Sequence, residues 1–193
     1  LVPSSGIHFF AGTSGDDTIN GGSASSVSAT GYDGNDTLIG TSGRDYYGGN
    51  AGNDIIKTLA GDDVLIGGTG NDTLEGGDGN DIIDGGGGDD LITGGAGDDT
   101  IMTGSGDVKA YGGDGDDLLW LTGSGKTLLD GGNGKDTFKL DLTNYTPSES
   151  NFVLEADLSK EIVGSLGTPD DTLANIENIT YIGPFPSQPV SYT

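Results

Sequence analysis

Cysteine is absent from this chain of 193 residues, and histidine occurs once, at His8. The chain therefore has no disulfide bond, no thiolate metal site and no zinc site built on several histidines. Only seven residues are Lys or Arg, so we expect no nucleic acid partner. No apolar run approaches the roughly 18 residues that cross a membrane as a helix, so we expect no transmembrane segment.

Catalytic constellations are also missing. A Ser-His-Asp arrangement would depend on His8 alone. Gly125-Lys126-Thr127 resembles the end of a phosphate-binding loop, but Trp120 stands where that loop requires glycine. Adjacent pairs such as Asp62-Asp63 recur at fixed positions rather than forming one isolated acid/base pair. We predict that the chain is not an enzyme.

A nine-residue period, Gly-Gly-x-Gly-x-Asp-x-apolar-x, is present in four uninterrupted copies from Gly67 to Met102. Glycine-rich turns that carry a carboxylate and alternate with short strands are typical of calcium-binding solenoids. Fourteen units can be aligned, and three of them have Ser26, Val108 or Thr127 at the sixth position. The other eleven have aspartate there, and these are the predicted metal ligands: Asp17, Asp36, Asp45, Asp54, Asp63, Asp72, Asp81, Asp90, Asp99, Asp117 and Asp136.

The eighth position predicts the core. In a three-residue strand the middle side chain points inward, because strand side chains alternate. The predicted core is Ile19, Leu38, Tyr47, Ile56, Leu65, Leu74, Ile83, Ile92, Ile101, Leu119, Leu129 and Phe138, with Ser28 and Ala110 as weak points. Thr30 and Leu121 are the predicted extra residues that keep this alignment.

The acidity of the chain independently predicts bound cations. The formal net charge is −24, and Asp outnumbers Glu by 26 to 5. A charge this large opposes a compact state, and the alternative interpretation is a disordered, solvating chain, which we expect without metal. Calcium fits a flexible set of carboxylate and carbonyl oxygens better than magnesium does. We expect about ten Ca²⁺ ions, which would reduce the net charge to single digits.

The tandem motif resembles the RTX (repeats-in-toxin, haemolysin-type) calcium-binding family over about residues 12–139. The resemblance implies an all-β, right-handed parallel β-roll, a β-solenoid that holds calcium between stacked turns. Because two units make one turn of that roll, aspartates 18 residues apart would stack in two files, and one file would lose its ligand at Val108 and Thr127. The resemblance also implies type I secretion, with localisation as a secreted or bacterial cell-surface protein.

We predict four segments: an N-terminal cap or linker (1–11), the calcium-binding roll (12–139), a C-terminal β-rich capping segment (140–183) and a linker (184–193). Asp171-Thr172-Leu173-Ala174-Asn175-Ile176-Glu177-Asn178 resembles a segment that often flanks RTX arrays. A cap fits the physics, because the last turn would otherwise expose a strand edge and half a core.

The outward positions of one sheet are apolar, and those of the other are mixed. A contiguous apolar outer face normally marks a covered surface. We expect a neighbouring domain, the C-terminal segment or a second copy to cover Tyr46, Val64, Ile82, Met102 and Trp120.

The predicted function is a calcium-binding RTX module of a type I-secreted extracellular protein, disordered at low calcium and folding on calcium binding outside the cell. Its parent would be a large adhesin or an exported enzyme or toxin. One alternative is a solenoid that binds polysaccharide or ice, although Ile55 and Leu91 break the outward row begun by Thr18, Thr37 and Thr73. The other is an accessory module of a polysaccharide-modifying enzyme such as an alginate epimerase.

Overall fold

The structure, a computed structural model, describes residues 6–123, 125 and 127–141 and the backbone of two further strands at 172–174 and 178–182. This part of the chain contains seventeen β-strands and no helix. The strands are β1 (Ile7–Ala11), β2 (Thr18–Asn20), β3 (Ser26–Asp33), β4 (Thr37–Ile39), β5 (Tyr46–Ala51), β6 (Ile55–Ala60), β7 (Val64–Thr69), β8 (Thr73–Asp78), β9 (Ile82–Gly87), β10 (Leu91–Ala96), β11 (Thr100–Met102), β12 (Val108–Asp114), β13 (Leu118–Leu121), β14 (Thr127–Asn133), β15 (Thr137–Asp141), β16 (Thr172–Ala174) and β17 (Asn178–Ile182).

The strands form two parallel sheets. Odd-numbered strands follow one another in a nine-stranded sheet, and even-numbered strands form an eight-stranded sheet. Each strand pairs with the strand one full turn later, as in the pairing of Tyr46 with Val64 and of Val64 with Ile82. The chain therefore alternates between the sheets every nine residues, which confirms the predicted parallel β-roll.

Many strands are longer than the predicted three residues. In β7, for example, pairing with β5 continues past the core positions to Gly68 and Thr69. The parallel ladder persists because glycines at the bend adopt positive φ angles, 118° at Gly68, without breaking the hydrogen bonds on either side. The predicted turns are therefore partly strand.

The core is a single row of apolar side chains between the sheets. Of the twelve predicted core residues, eleven are at most 1% exposed, and Ile19 is partly buried against them. Val27, Ala29, Val108, Ala110 and Leu121 belong to the same buried cluster. Burying one such large apolar side chain stabilises the folded state by about 1.5 to 3 kcal/mol. The core is thin, and it is continuous along the roll.

Two details of the predicted alignment are wrong. Ala29, rather than Ser28, pairs with Tyr47 and is 1% exposed, so Ala29 is the core residue of its unit. Val27, rather than Ser26, then takes the sixth position. The extra residue lies within 22–24 and not at Thr30, because a turn closes there with Ala24 N–H donating to the Gly21 carbonyl.

Leu121 agrees with its predicted role as the other extra residue. Trp120 pairs with Met102, 18 residues earlier, whereas Thr127 pairs with Val108, 19 residues earlier. The additional residue therefore falls after Trp120. It is accommodated in the core, where the Leu121 side chain is 8% exposed.

The two ends of the roll differ. β1 lies at the edge of the nine-stranded sheet, where Ile7, Phe9 and Phe10 are 60%, 78% and 41% exposed. At the other end, β16 and β17 pair with β14 and β15 and extend both sheets by one strand. The rest of the predicted capping segment and the linker at 184–193 lie outside the described residues. No helix in the described part of the chain is long and apolar enough to cross a membrane.

Candidate metal centres

The sixth-position residues stack in two columns, one along each edge of the roll where the chain turns between the sheets. We call these the first edge (Asp17, Asp36, Asp54, Asp72, Asp90, Val108 and Thr127) and the second edge (Val27, Asp45, Asp63, Asp81, Asp99, Asp117 and Asp136). Of the eleven aspartates, all but Asp17 are buried. The structure therefore brings together, in two files, the residues that the sequence predicted as ligands.

One carboxylate oxygen of each aspartate links neighbouring turns. The Asp54 N–H donates to Asp72 Oδ1 at 2.8 Å, and the Asp81 N–H donates to Asp99 Oδ1 at 2.8 Å. The same bond recurs along both edges, from Asp17 to Asp90 and from Val27 to Asp136. Oδ1 is thus hydrogen-bonded within the protein, and Oδ2 takes no part in these bonds between turns.

Oδ2 has no hydrogen-bond partner in nine of the eleven aspartates, although it is buried. These are Asp36, Asp54, Asp63, Asp72, Asp81, Asp90, Asp99, Asp117 and Asp136. A buried polar atom without a partner is costly, and a buried charge is more so. Nine repetitions of one such orphan give each position an oxygen with which a cation could be bound.

The space in front of seven of the nine orphan oxygens is bounded by backbone. A Cβ placed on Gly49 would lie within 3.0 Å of both Asp54 Oδ2 and the carbonyl oxygen of Gly67 in the next turn of the roll. Equivalent spaces lie at Gly31, Gly67, Gly76, Gly85, Gly94 and Gly112, and the same space is present at Gly12 and Gly40, beside Asp17 and Asp45. We call each of these a cradle. Carboxylate and carbonyl oxygens facing one small space are the donors that calcium takes.

Carboxylates alone do not make these centres. Among the residues that the structure describes, no three Asp, Glu or His side chains surround a common point. An ion bound at a cradle would therefore need backbone carbonyls as well, as the predicted ligand set proposed. The glycine-rich turns supply them.

Burial raises the pKa of most of these carboxyl groups. Burial raises the pKa to about 7 for Asp63, Asp72 and Asp99, to about 6 for Asp81, Asp90 and Asp117, and in the same direction for Asp54. Negative neighbours add to each rise in pKa, whereas the backbone N–H bonded to Oδ1 reduces it. Burial therefore disfavours the ionised form of these carboxyl groups, and a bound cation would favour it.

The remaining two predicted ligands, Asp17 and Asp45, are bonded differently. Asp45 Oδ2 accepts hydrogen bonds from the Thr41 N–H at 2.6 Å and from the Thr41 hydroxyl at 3.0 Å. Asp17 Oδ2 accepts the same two bonds from Thr13. Neither oxygen is an orphan, so the eleven predicted ligands fall into a set of nine and a set of two.

The turns also use a polar residue that the sequence analysis did not single out. The fifth-position side chain of one turn accepts from the fifth-position N–H of the next, as in Asn71 N–H to Asn53 Oδ1 at 2.7 Å and Asp98 N–H to Asn80 Oδ1 at 2.9 Å. This ladder runs opposite to that of the sixth position. The signal for it was present, because Asn or Asp fills most fifth positions.

Three bulky or polar residues hold a backbone conformation that normally requires glycine. Tyr32, Asn50 and Leu59, at the second position of their units, have φ of 81°, 78° and 80°. For residues other than glycine this left-handed conformation costs about 1 to 2 kcal/mol. The surrounding structure therefore holds these three residues in a backbone conformation that they would not prefer on their own.

Comparison with known proteins bears on the repeat itself. A family model described as the RTX calcium-binding nonapeptide repeat matches the chain in four copies, at residues 9–25, 28–56, 57–92 and 93–124. The matched stretches cover more than half of the chain and contain every predicted ligand except Asp136. No curated protein and no solved structure matches the chain.

Proposed function

Because the chain belongs to the RTX calcium-binding nonapeptide repeat family, we propose that it is the calcium-binding module of a protein exported by type I secretion. It is disordered at low calcium and folds on binding calcium outside the cell. The proposed location is extracellular or the bacterial cell surface. The parent is a large adhesin or an exported enzyme or toxin, and the module itself carries no catalysis.

The nine buried, unpartnered Oδ2 atoms are the observation that supports this proposal most directly. Nine buried carboxylates and a net charge of −24 oppose the folded roll unless positive charge is bound. Bound calcium supplies that charge. Nine divalent ions would bring the net charge to about −6, so nine replaces the predicted figure of about ten as the expected number.

Each proposed site needs two consecutive turns of the roll. At the Gly49 cradle, Asp54 contributes its carboxylate and Gly67 contributes its carbonyl from the turn above. Neither oxygen is placed until the strands have stacked. Binding and folding are therefore coupled, and a ligand that binds only the folded state shifts the equilibrium toward it.

Far-UV circular dichroism during a calcium titration tests the proposal. We expect coil in chelator, a cooperative appearance of β-structure with calcium, and no comparable change with magnesium. Retention of the full β-sheet signal after verified removal of calcium would contradict the folding switch. Elemental analysis of the dialysed sample provides that verification.

The predicted contact surface remains part of the proposal. Tyr46, Val64 and Ile82 lie in one column on the nine-stranded sheet, and Tyr46 and Ile82 are 46% and 44% exposed. Met102 and Trp120 lie in the adjacent column, where Asp84 interrupts the apolar surface. A neighbouring domain, the C-terminal segment or a second copy is the proposed cover for this face.

No observation favours the alternative solenoid that binds polysaccharide or ice. Thr18, Thr37 and Thr73 share one column of the eight-stranded sheet with Ile55 and Leu91. The threonines therefore form no continuous row. The accessory role in a polysaccharide-modifying enzyme likewise gains no specific support, so the calcium module stands as the proposed function.

A further inference from the structure

Two of the eleven aspartate turns are built differently from the other nine. Both contain Gly-Thr-Ser-Gly-x-Asp, at residues 12–17 and 40–45. We call these the threonine-closed turns, and we call the nine turns with an unpartnered Oδ2 the open turns. The two classes differ in hydrogen bonding and in backbone conformation.

Hydrogen bonds fill the interior of each threonine-closed turn. In the second one, the Thr41 N–H and hydroxyl both reach Asp45 Oδ2, and the Gly43 N–H donates to the Thr41 hydroxyl oxygen at 3.1 Å. In the first, Thr13 bonds Asp17 in the same way, and the Gly15 N–H donates to the Thr13 hydroxyl oxygen at 3.3 Å. Donor hydrogens therefore face the oxygen that a cation would have to approach.

The backbone separates the same two classes independently. The second-position residue has a positive φ, between 78° and 130°, in all nine open turns: Tyr32, Asn50, Leu59, Gly68, Gly77, Gly86, Gly95, Gly113 and Gly132. Neither Thr13 nor Thr41 is among the residues with positive φ. The φ angle at this position sets the direction of the adjoining peptide groups. In the threonine-closed turns the N–H of the second-position residue donates to Oδ2 of the aspartate.

We propose that in the threonine-closed turns threonine takes the place of the ion, so that Asp17 and Asp45 bind no calcium and these two turns close in its absence. This inference rests on the proposed function, since it concerns which turns bind. Asp45 remains a stacking residue, because its Oδ1 accepts from the Val27 N–H at 2.6 Å. The N-terminal part of the roll is thereby less dependent on calcium than the part that follows.

The test counts bound ions at saturating calcium, by native mass spectrometry of the whole chain, for the wild type and matched variants. Asp45→Asn and Asp17→Asn are expected to keep the wild-type number, whereas Asp54→Asn loses at least one ion. Loss of an ion from folded Asp45→Asn would overturn the inference. A wild type that binds no calcium would instead refute the proposed function, so the two failures are distinguishable.

A second variant avoids any loss of carboxylate. Thr41→Gly removes the hydroxyl and permits a positive φ, so one more ion than in the wild type is expected. The matched control, Ser42→Gly at the exposed neighbouring position, should leave the number unchanged. Thr41→Gly with the wild-type number would overturn the inference, and this result stays informative even where Asp45→Asn does not fold.

Discussion

Glycine serves two separate purposes within one nine-residue unit. At the second and fourth positions it adopts positive φ, as at Gly68 and Gly70 with 118° and 120°. At the first position, as at Gly49, φ is not positive and a Cβ would fill the cradle, although the Asp63 unit has Thr58 there. The first kind of glycine shapes the turn, and the second keeps the cradle open.

This distinction predicts that Gly49→Ala removes one bound ion. The added methyl group would lie within 3.0 Å of Asp54 Oδ2 and the Gly67 carbonyl oxygen, where the ion is proposed to bind. Gly48→Ala is the matched control, because no atom lies within 4 Å of its added Cβ. Ion counts by native mass spectrometry should differ by one between the variants, and equal counts would argue against the cradle.

At the scale of the strand, stability depends on alternation between buried and exposed positions. Within β9, Ile83 is fully buried while its neighbour Ile82 is 44% exposed. We expect Ile83→Ala to lower the free energy of unfolding by about 2 to 5 kcal/mol, because the thin core cannot fill the cavity. Ile82→Ala should change it by less than about 1 kcal/mol.

Urea denaturation at saturating calcium measures both variants. Comparable losses of unfolding free energy would mean that Ile82 is covered to the same degree as Ile83, which would point to a second copy on the outer face. Analytical ultracentrifugation of the wild type at the same concentration then identifies that copy. The pair of variants thus tests the core and the outer surface together.

The sequence correctly predicted the units in which both marker residues of the repeat are present. Asp72 and Ile83 could be placed because their units carry both the aspartate and the apolar residue that fix the alignment. Ala29 was missed because its unit lacks the aspartate that fixes the alignment, although an apolar eighth position favours Ala29 over Ser28. The threonine closure at Thr41 was also missed, since it depends on φ and hydrogen bonding within a turn whose aspartate matches the pattern.

For the whole molecule, the raised carboxyl pKa values predict an unusual dependence on pH in the absence of metal. A carboxyl group with a folded pKa of about 6 to 7, against 3.8 ordinarily, favours the folded state while it is protonated. Its destabilising effect is absent below about pH 4, grows as the pH rises, and is complete above the folded pKa. The metal-free chain should therefore gain β-structure near pH 4.5 and lose it by pH 7.5.

Circular dichroism of calcium-depleted protein at the two pH values checks this expectation. Salt provides the control, because about 1 M salt screens exposed charges without reaching buried ones, and it should not reproduce the effect of acid. A β-sheet signal at pH 4.5 that is no larger than the signal at pH 7.5 would show that the buried carboxylates do not limit folding.

Calcium affinity should have the opposite dependence on pH. The carboxylates must be ionised to bind, so affinity is expected to rise between pH 5 and pH 7, with release of protons on binding. Isothermal titration calorimetry in two buffers of different ionisation enthalpy measures that release. Binding without proton release at pH 6 would contradict the raised pKa values.

The alternation of repeats between two sheets bears on how a gene encoding such an array can change in length. Insertion of nine residues between Val64 and Ile82 would move Ile82, Met102 and Trp120 to the other sheet, away from Tyr46. Insertion of eighteen residues would leave every outward residue on its own side, because the strands pair at that interval. Duplications and deletions of paired repeats are therefore the changes that this surface tolerates.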